Sequence, residues 1–253
     1  MSANSLDPLE AYFASARALL QSLDFSAMRQ AASLIAVALE SGGILQAIGT
    51  GHSSLLAQEI FYRAGGLVAV NPILDGRLGF ERGATESTEF ERSTEAAEEL
   101  ARLAGFEARD AGIVISNSGR NALPVEMALR MKAARMKVIA LTSLAHSRAS
   151  TPRHPSGKCL FEIADCILDN HCPSGDAVVE VPGLPAKMGP LSTIAGAALL
   201  HGTLIEAARQ LAARGKPPAV LVSANVGTGA VQDLKNLLAP YASRIRYYRP
   251  GGR

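Results

Sequence analysis

Little in this sequence points toward a polymer, a membrane or a metal. Lys and Arg total 25 against 23 Asp and Glu, a formal net charge of +2, and no basic run stands out. Nucleic acid is therefore not an expected partner. Cys159, Cys166 and Cys172 are odd in number and lack CxxC spacing, which suggests neither a disulfide framework nor a zinc site. His146, His154, His171 and Cys172 fall in loops without metal-ligand spacing, so no metal is expected. A long unbroken apolar run is missing too. The most apolar segment, 191–211, is interrupted by His201, Glu206 and Arg209, and reads as a buried core helix rather than a membrane span. The opening MSANSLDPLEAYF has no basic-then-apolar signal pattern. The simplest expectation is a reduced, cytoplasmic protein.

What is present is a chain of 253 residues, 48% apolar, able to bury a sizeable core as one large or two small domains. The stretch 44–54 organises it. Ile44-Leu45-Gln46-Ala47-Ile48 reads as a short strand, Gly49-Thr50-Gly51 as a tight turn, and His52-Ser53-Ser54 as the start of a helix carrying Leu55, Leu56, Ile60 and Phe61. Glycines let the backbone turn sharply and approach a ligand. The helix start offers unpaired N–H groups and the positive end of its dipole, and Thr50, Ser53 and Ser54 add hydroxyls. Such a turn can cradle a phosphate.

The same logic recurs downstream. Residues 112–115 read as a strand, Ser116-Asn117-Ser118-Gly119-Arg120-Asn121 as a polar turn, and 123–136 as a helix. Further short apolar runs at 67–70, 138–141 and 163–168 supply the other strands. Runs this short and unalternating suit a parallel sheet covered on both faces, so the fold is expected to be α/β and doubly wound. In a five-stranded 2-1-3-4-5 order, the two turns flank the point where strand order reverses, the usual ligand position. Before the sheet, Asp7-Pro8 with Glu10 starts one helix, and Met28, Ala31, Ile35 and Leu39 mark a second that Ser41-Gly42-Gly43 ends. Residues 71–88 read as a long charged loop, either a solvated face or a lid, followed by one helix over 89–103 that Gly105 closes. Residues 170–189 read as a loop, 191–212 as the long helix, 219–222 as a last strand and 231–238 as a last helix.

Each turn has alternative readings. GTGHSS departs from the dinucleotide fingerprint because Ser54 stands in place of the third glycine, and Asn71 stands where an acid is wanted, which sets NAD aside. SNSGRN is no nucleophile elbow, since Ser116 stands where glycine is required. It gathers several small donors at a helix N-terminus, as a phosphate monoester needs. A capped turn with Asn121 as N-cap is the structural alternative.

With their flanks, the paired turns are similar to those of the sugar isomerase (SIS) domain family. The likeness extends through Ala57-Gln58-Glu59-Ile60-Phe61-Tyr62-Arg63-Ala64-Gly65-Gly66 and Lys187-Met188-Gly189-Pro190-Leu191-Ser192-Thr193, over roughly residues 30–225. It is greatest to a single-domain branch of unassigned activity, related to phosphoheptose isomerase and the N-acetylmuramic acid 6-phosphate etherases. The resemblance implies one SIS domain over 1–253: N-terminal helices to 41, a sheet core over 42–225 and a C-terminal extension. It implies a phosphosugar with its phosphate in the turn 116–121. The sugar would lie toward Gly51, His52 and Ser53 and toward Ser192 and Thr193. It also implies a homodimer or homotetramer with sites at subunit contacts. The family turn carries Ser or Thr at more of its positions, where this chain has Asn117, Arg120 and Asn121.

Aldose–ketose isomerisation needs a group that takes a proton next to a carbonyl and returns it one carbon away. In phosphoheptose isomerase a Glu on the first sheet helix and a His on the late helix do this, and the resemblance assigns these roles here to Glu59 and His201. Glu59 also stands four residues before Arg63, as a plain ion pair would, and a lone His on an apolar helix can be a satisfied core residue. The expected function is a cofactor-free phosphosugar isomerase. The alternatives are an etherase-like lyase on an amino-sugar phosphate and a non-catalytic phosphosugar sensor, although no DNA-binding segment is expected within this length.

Overall fold

The computed structural model describes residues 7–223 and 230–249. Two helices open the chain, α1 (Pro8–Gln21) and α2 (Phe25–Glu40). Each begins where an aspartate accepts an otherwise unpaired helix N–H: Asp7 from Leu9 at 3.1 Å and Asp24 from Ser26 at 2.7 Å. The sheet consists of β1 (Leu45–Gly49), β2 (Val70–Pro72), β3 (Ala111–Ile115), β4 (Lys137–Thr142) and β5 (Cys166–Asp169). Its order is β2-β1-β3-β4-β5 and every pairing is parallel, the doubly wound arrangement the apolar runs predict. Between the strands lie α3 (His52–Glu59), α4 (Ala84–Phe90), α5 (Ala97–Ala104), α6 (Ala122–Ala133) and α7 (Leu144–Arg148). After the sheet come an antiparallel hairpin of β6 (Ala177–Val179) and β7 (Met188–Pro190), then α8 (Ser192–Ala213) and α9 (Ala230–Leu238).

The central strands are buried along their length because helices cover both faces. On one face Leu45, Ile113 and Ile139 pack with Ile35 of α2, Leu56 of α3 and Leu200 of α8. On the other, Ile48, Val114 and Val138 pack with Leu100 of α5 and Met127 of α6. Burying one such side chain fully contributes roughly 1.5–3 kcal/mol. This double cover fixes the height of the C-terminal strand ends, where both turns emerge. A Cβ at Gly196 would stand 2.5 Å from Leu56 Cδ1, so α3 and α8 approach each other through the missing side chain.

Several boundaries differ from the sequence reading, each for a physical reason. The second strand is Val70–Pro72 rather than 67–70, so Asn71 lies inside it, its amide donating to Gln46 Oε1 at 2.7 Å. Leu67 instead forms an isolated antiparallel bridge with Val220, and that bridge is all that forms of the strand expected over 219–222. The fifth strand starts at Cys166, not 163, because residues 160–162 form a 3₁₀ turn and Asp165 turns its carboxylate to the Val138 N–H and to Lys132. Helix α3 ends at Glu59, leaving Ile60 at its C-cap and Phe61 beyond. The loop over 170–189 contains the hairpin.

The most consequential difference is in 84–104. Two helices replace the single one expected, with a break at 91–96. Local polar groups compete with the helix there: Ser93 Oγ accepts the Glu95 N–H at 3.1 Å. The Glu91 carbonyl takes the Leu123 N–H at 3.1 Å, and its side chain points at both turns. Upstream, Arg77 is forked onto Asp75 and reaches Glu99, while the Leu78 carbonyl accepts the Gly51 N–H at 2.7 Å. The loop after β2 is thus pinned beneath the first turn. Among the described residues, no helix is long and apolar enough to cross a membrane.

Candidate phosphate cradle and acid–base site

Both turns emerge from neighbouring strands, β1 and β3, and one carboxylate joins them. Thr50, at the end of β1, donates its hydroxyl to Glu91 Oε2 at 2.9 Å. Asn121, at the N-cap position of α6, donates its amide to Glu91 Oε1 at 2.7 Å. Asn121 makes no capping bond with that side chain; its Oδ1 accepts from Arg153 at 2.7 Å instead. Burial pushes the Glu91 carboxyl above its usual range and outweighs the downward pull of the Thr50 bond and of Arg92 and Arg153.

The second turn is shaped by its glycine. Gly119 has φ +59, and a Cβ there would stand 2.6 Å from Ser147 Oγ, so both the conformation and the space call for glycine. The buried Ser116 accepts the Gly119 N–H on its hydroxyl at 3.2 Å. Asn117 is tied to the sheet edge: its Oδ1 accepts from Asn170 at 2.8 Å and its carbonyl accepts from Thr142 Oγ1 at 3.1 Å. The Arg120 carbonyl accepts the Arg153 N–H at 2.9 Å, while its own Nε is buried without a hydrogen-bond partner. Desolvation, then the charges of Arg120 and Arg92, lower the Arg153 pKa, an electrostatic sign that three guanidiniums share this side of the turn. Ser118 is half-buried, and its hydroxyl makes no bond to another described residue.

In the first turn, Gly51 has φ +56 and occupies the N-cap position of α3. Ser54 is buried and donates back to the Gly51 carbonyl at 2.7 Å. His52 is exposed, with its ring edge-on to Phe80 at 4.8 Å between centroids. Ser53 is half-buried, and its hydroxyl is uncommitted among the described residues. The two turns therefore hold their shape with Thr50, Ser54, Ser116, Asn117 and Asn121. The Ser53 and Ser118 hydroxyls and the N–H groups of His52 and Ala122 remain to face a ligand, since the Gly51, Ser53, Ser54 and Leu123 N–H groups are taken by carbonyls of the chain.

Ser192 and Thr193, at the start of α8, stand differently. Asp176 accepts the N–H groups of Leu191 and Ser192 at 3.0 and 2.8 Å and also takes the Ser192 hydroxyl. A carboxylate of the chain thus fills the anion position of this helix end. Thr193 is exposed beside it.

Glu59 and His201, which the sequence leaves unconnected, meet. His201 Nε2 lies 3.2 Å from Glu59 Oε1 across the α3–α8 contact, between residues 142 positions apart. Glu59 also pairs with Arg63, the plain ion pair that their spacing allows, whereas His201 is half-buried rather than a core residue. Burial, and secondarily the Arg63 charge, depress the His201 pKa. His201 borders a cavity of about 310 Å³ that Arg63, Leu204, Ile205 and Val220 also line, and Glu59 stands behind it. The pair does not border the turns: α3 is eight residues long, which places Glu59 about 10 Å below the helix start at ~1.5 Å per residue. The three cysteines are buried and form no disulfide, and burial raises all three thiols, Cys172 up to about 12, so none is a ready thiolate. Among the described residues, no group of His, Cys, Asp or Glu is arranged to hold a metal.

Glu91, Arg153 and Asp176 escape the motif reading. A Ser-Thr pair after Glu91 is the one local hint of the helix break that delivers it.

A model of the SIS domain matches residues 11–143, more than half of the chain. The chain belongs to the SIS domain family. Among SIS relatives, the UPF0309 protein of Geobacillus kaustophilus is 37% identical over 218 residues, covering 86% of each chain. A UPF0309 protein of Streptomyces coelicolor is 40% identical over 221 residues, or 87% of this chain and 88% of its own. Among solved structures, a candidate phosphosugar isomerase of capsule formation from Bacteroides fragilis superposes with TM-score 0.51 at 15% identity, over 81% of this chain and 90% of that one. The phosphoheptose isomerase of Neisseria gonorrhoeae gives TM-score 0.49 at 16% identity, over 78% and 96%. At 15% identity, the likeness to the Bacteroides fragilis structure speaks to the fold alone.

Proposed function

We propose that this SIS protein binds a phosphosugar and interconverts its aldose and ketose forms by acid–base proton transfer without a cofactor. The observation that carries this reading is the union of two Ser- and Gly-containing turns at the ends of β1 and β3, bridged through Thr50, Glu91 and Asn121. Phosphate recognition asks for many short hydrogen bonds around one anion. The hydroxyls of Ser53 and Ser118 and the first N–H of each helix, His52 and Ala122, offer some of them, with the guanidiniums of Arg120 and Arg153 beside the turns. The sugar would extend toward Gly51 and His52.

Glu59 and His201 supply the carbon-directed proton transfer in this reading, supported by their 3.2 Å approach. Because the pair stands two helical turns below the cradle of its own chain, the reading has it serve a neighbouring copy's turn in a dimer or tetramer, as the family resemblance implies. A sensor without turnover is the second reading, favoured by the internal commitments that leave few side chains free at the turns.

A thermal-shift comparison of sugar phosphates with the same sugars unphosphorylated tests the proposal. A ligand at a hundred times its dissociation constant stabilises a fold by about 2.7 kcal/mol. Phosphorylated sugars alone are expected to raise the midpoint, and Ser118→Ala is expected to remove most of that rise. A panel in which no sugar phosphate raises it would sink the reading.

A further inference from the structure

Isomerisation moves two protons, one between carbons and one between oxygens. The Glu59–His201 pair accounts for the first. Glu91 is the carboxyl that belongs to the cradle itself, because it bridges Thr50 of the first turn and Asn121, the last residue of the second. A ligand spanning both turns must pass beside it. Its immediate partners are a hydroxyl and an amide rather than cations, so no fixed ion pair occupies it. Each oxygen accepts one bond in the structure and keeps lone-pair capacity for another.

Building on the phosphosugar reading, we propose that Glu91 is the acid–base group that shuttles the oxygen-bound proton of the bound sugar phosphate. Protonated Glu91 donates to the carbonyl oxygen while the carbon-directed base removes the proton from the adjacent carbon. The C–H electron pair becomes the C=C bond of an enediol. The Glu91 carboxylate then takes the proton of the neighbouring hydroxyl as a carbonyl forms there, and the C=C pair recaptures the carbon-bound proton at the other carbon. Glu91 ends protonated, as it began, and no outside oxidant or reductant takes part. A carboxyl held partly out of water between neutral donors suits a group that must give a proton before it takes one.

The competing explanation is that Glu91 is only a strut between the turns, and the amide isostere separates the two. In Glu91→Gln the side-chain oxygen still accepts from Asn121, and the Thr50 hydroxyl can rotate to accept from the new amide. The strut survives and the proton does not. With the sugar phosphate that gives the largest thermal shift as substrate, Glu91→Gln is expected to keep a midpoint no lower than the wild type's, and the wild-type ligand-induced shift and KM. Its kcat is expected to fall by about 10²- to 10⁴-fold, the usual contribution of a positioned acid or base. Glu91→Asp keeps a carboxyl on a shorter arm, so it is expected to lose stability yet turn over faster than Glu91→Gln. An active wild type with an equally active Glu91→Gln, or with Glu91→Asp slower than Glu91→Gln, overturns the role of Glu91 alone. A wild type that binds sugar phosphates but turns over none also overturns it. If no sugar phosphate shifts the wild type, the underlying reading falls and the role of Glu91 falls with it.

Discussion

Glu59 and Glu91 sit on the same sheet's helical layers, yet the chain treats them in opposite ways. Glu59 lies on an open helix contact, its side chain 40% exposed, between the cations Arg63 and, when protonated, His201. Glu91 is drawn between two turns and held by a hydroxyl and an amide. Burial pushes Glu91 toward its protonated form and outweighs the Thr50 bond and the charges of Arg92 and Arg153. The contrast implies a division of labour, with an ion-paired carboxylate at one place and a ready acid at the other. It also implies that the two act on one substrate only where an α3–α8 face meets a cradle.

The largest effect that would break this comparison concerns turnover. Glu59→Gln is expected to lower kcat by about 10²- to 10⁴-fold and to leave phosphosugar binding unchanged, since Glu59 does not line the turns. Mixed oligomers of Glu59→Gln and Glu91→Gln sharpen it further. If each chain supplies one group to its neighbour's site, mixing two inactive variants should restore measurable activity. Activity that stays lost on mixing would place both groups in one copy.

Next in size is the difference between removing the proton and removing the strut. Glu91→Ala leaves the Thr50 hydroxyl and the Asn121 amide without their acceptor, and an unsatisfied buried donor costs about 1–3 kcal/mol. Water can reach part of this site, so a loss of roughly 2 kcal/mol is expected, measured by denaturant titration against a nearly unchanged Glu91→Gln. Equal stability of the two variants would mean that Glu91 does not join the turns in solution.

How much of this was open to the sequence depends on the range of the interactions. The short apolar runs at 44–48, 112–115 and 138–141 predict the central strands, observed within a residue at each end, because double burial writes an unalternating pattern. Gly105, with φ +63, ends α5 as a helix-terminating glycine should. Gly119 marks a turn that no larger residue fits. The Glu59–His201 meeting, by contrast, depends on the relative rotation of α3 and α8. That rotation follows from Leu56 seating over Gly196, a contact no local periodicity encodes. Glu91 was hidden for a related reason. Its segment has helical composition, and only competition from Ser93, Thr50 and Asn121 stops the helix. Asp176, at φ +67 within a loop, reaches α8 from 16 residues away and leaves no pattern at all.

The two sites should also answer pH with opposite signs, at smaller amplitude. Glu91 has a raised folded-state pKa, so its contribution is fully present below the ordinary Glu value of about 4.3 and is lost as pH rises through the folded value. The difference in stability between Glu91→Gln and wild type should therefore grow in the variant's favour from about pH 4 toward neutrality. His201 has a depressed folded-state pKa. Its contribution is present above the ordinary His value of about 6.5 and is lost as pH falls through the folded one. His201→Gln should flatten that acid-side loss. Urea unfolding at several pH values checks both, and slopes of the same sign would contradict the contrast.

The smallest effect isolates what holds Glu59 apart from Glu91. Arg63 and Glu59 are both about two-fifths exposed, and such pairs contribute roughly 0.2–1 kcal/mol. Arg63→Ala should therefore barely move the unfolding midpoint. Its sharper signature is at His201. Burial is the first cause of the depressed imidazole pKa and the Arg63 charge the second, so deleting the charge should raise that pKa only part of the way to its ordinary value. Titration of His201 followed by NMR measures this directly. A complete return to the ordinary value would mean that charge, and not desolvation, sets the state of the pair. A partial return would leave burial at the α3–α8 contact as the cause, a property of the packing that no single surface substitution removes.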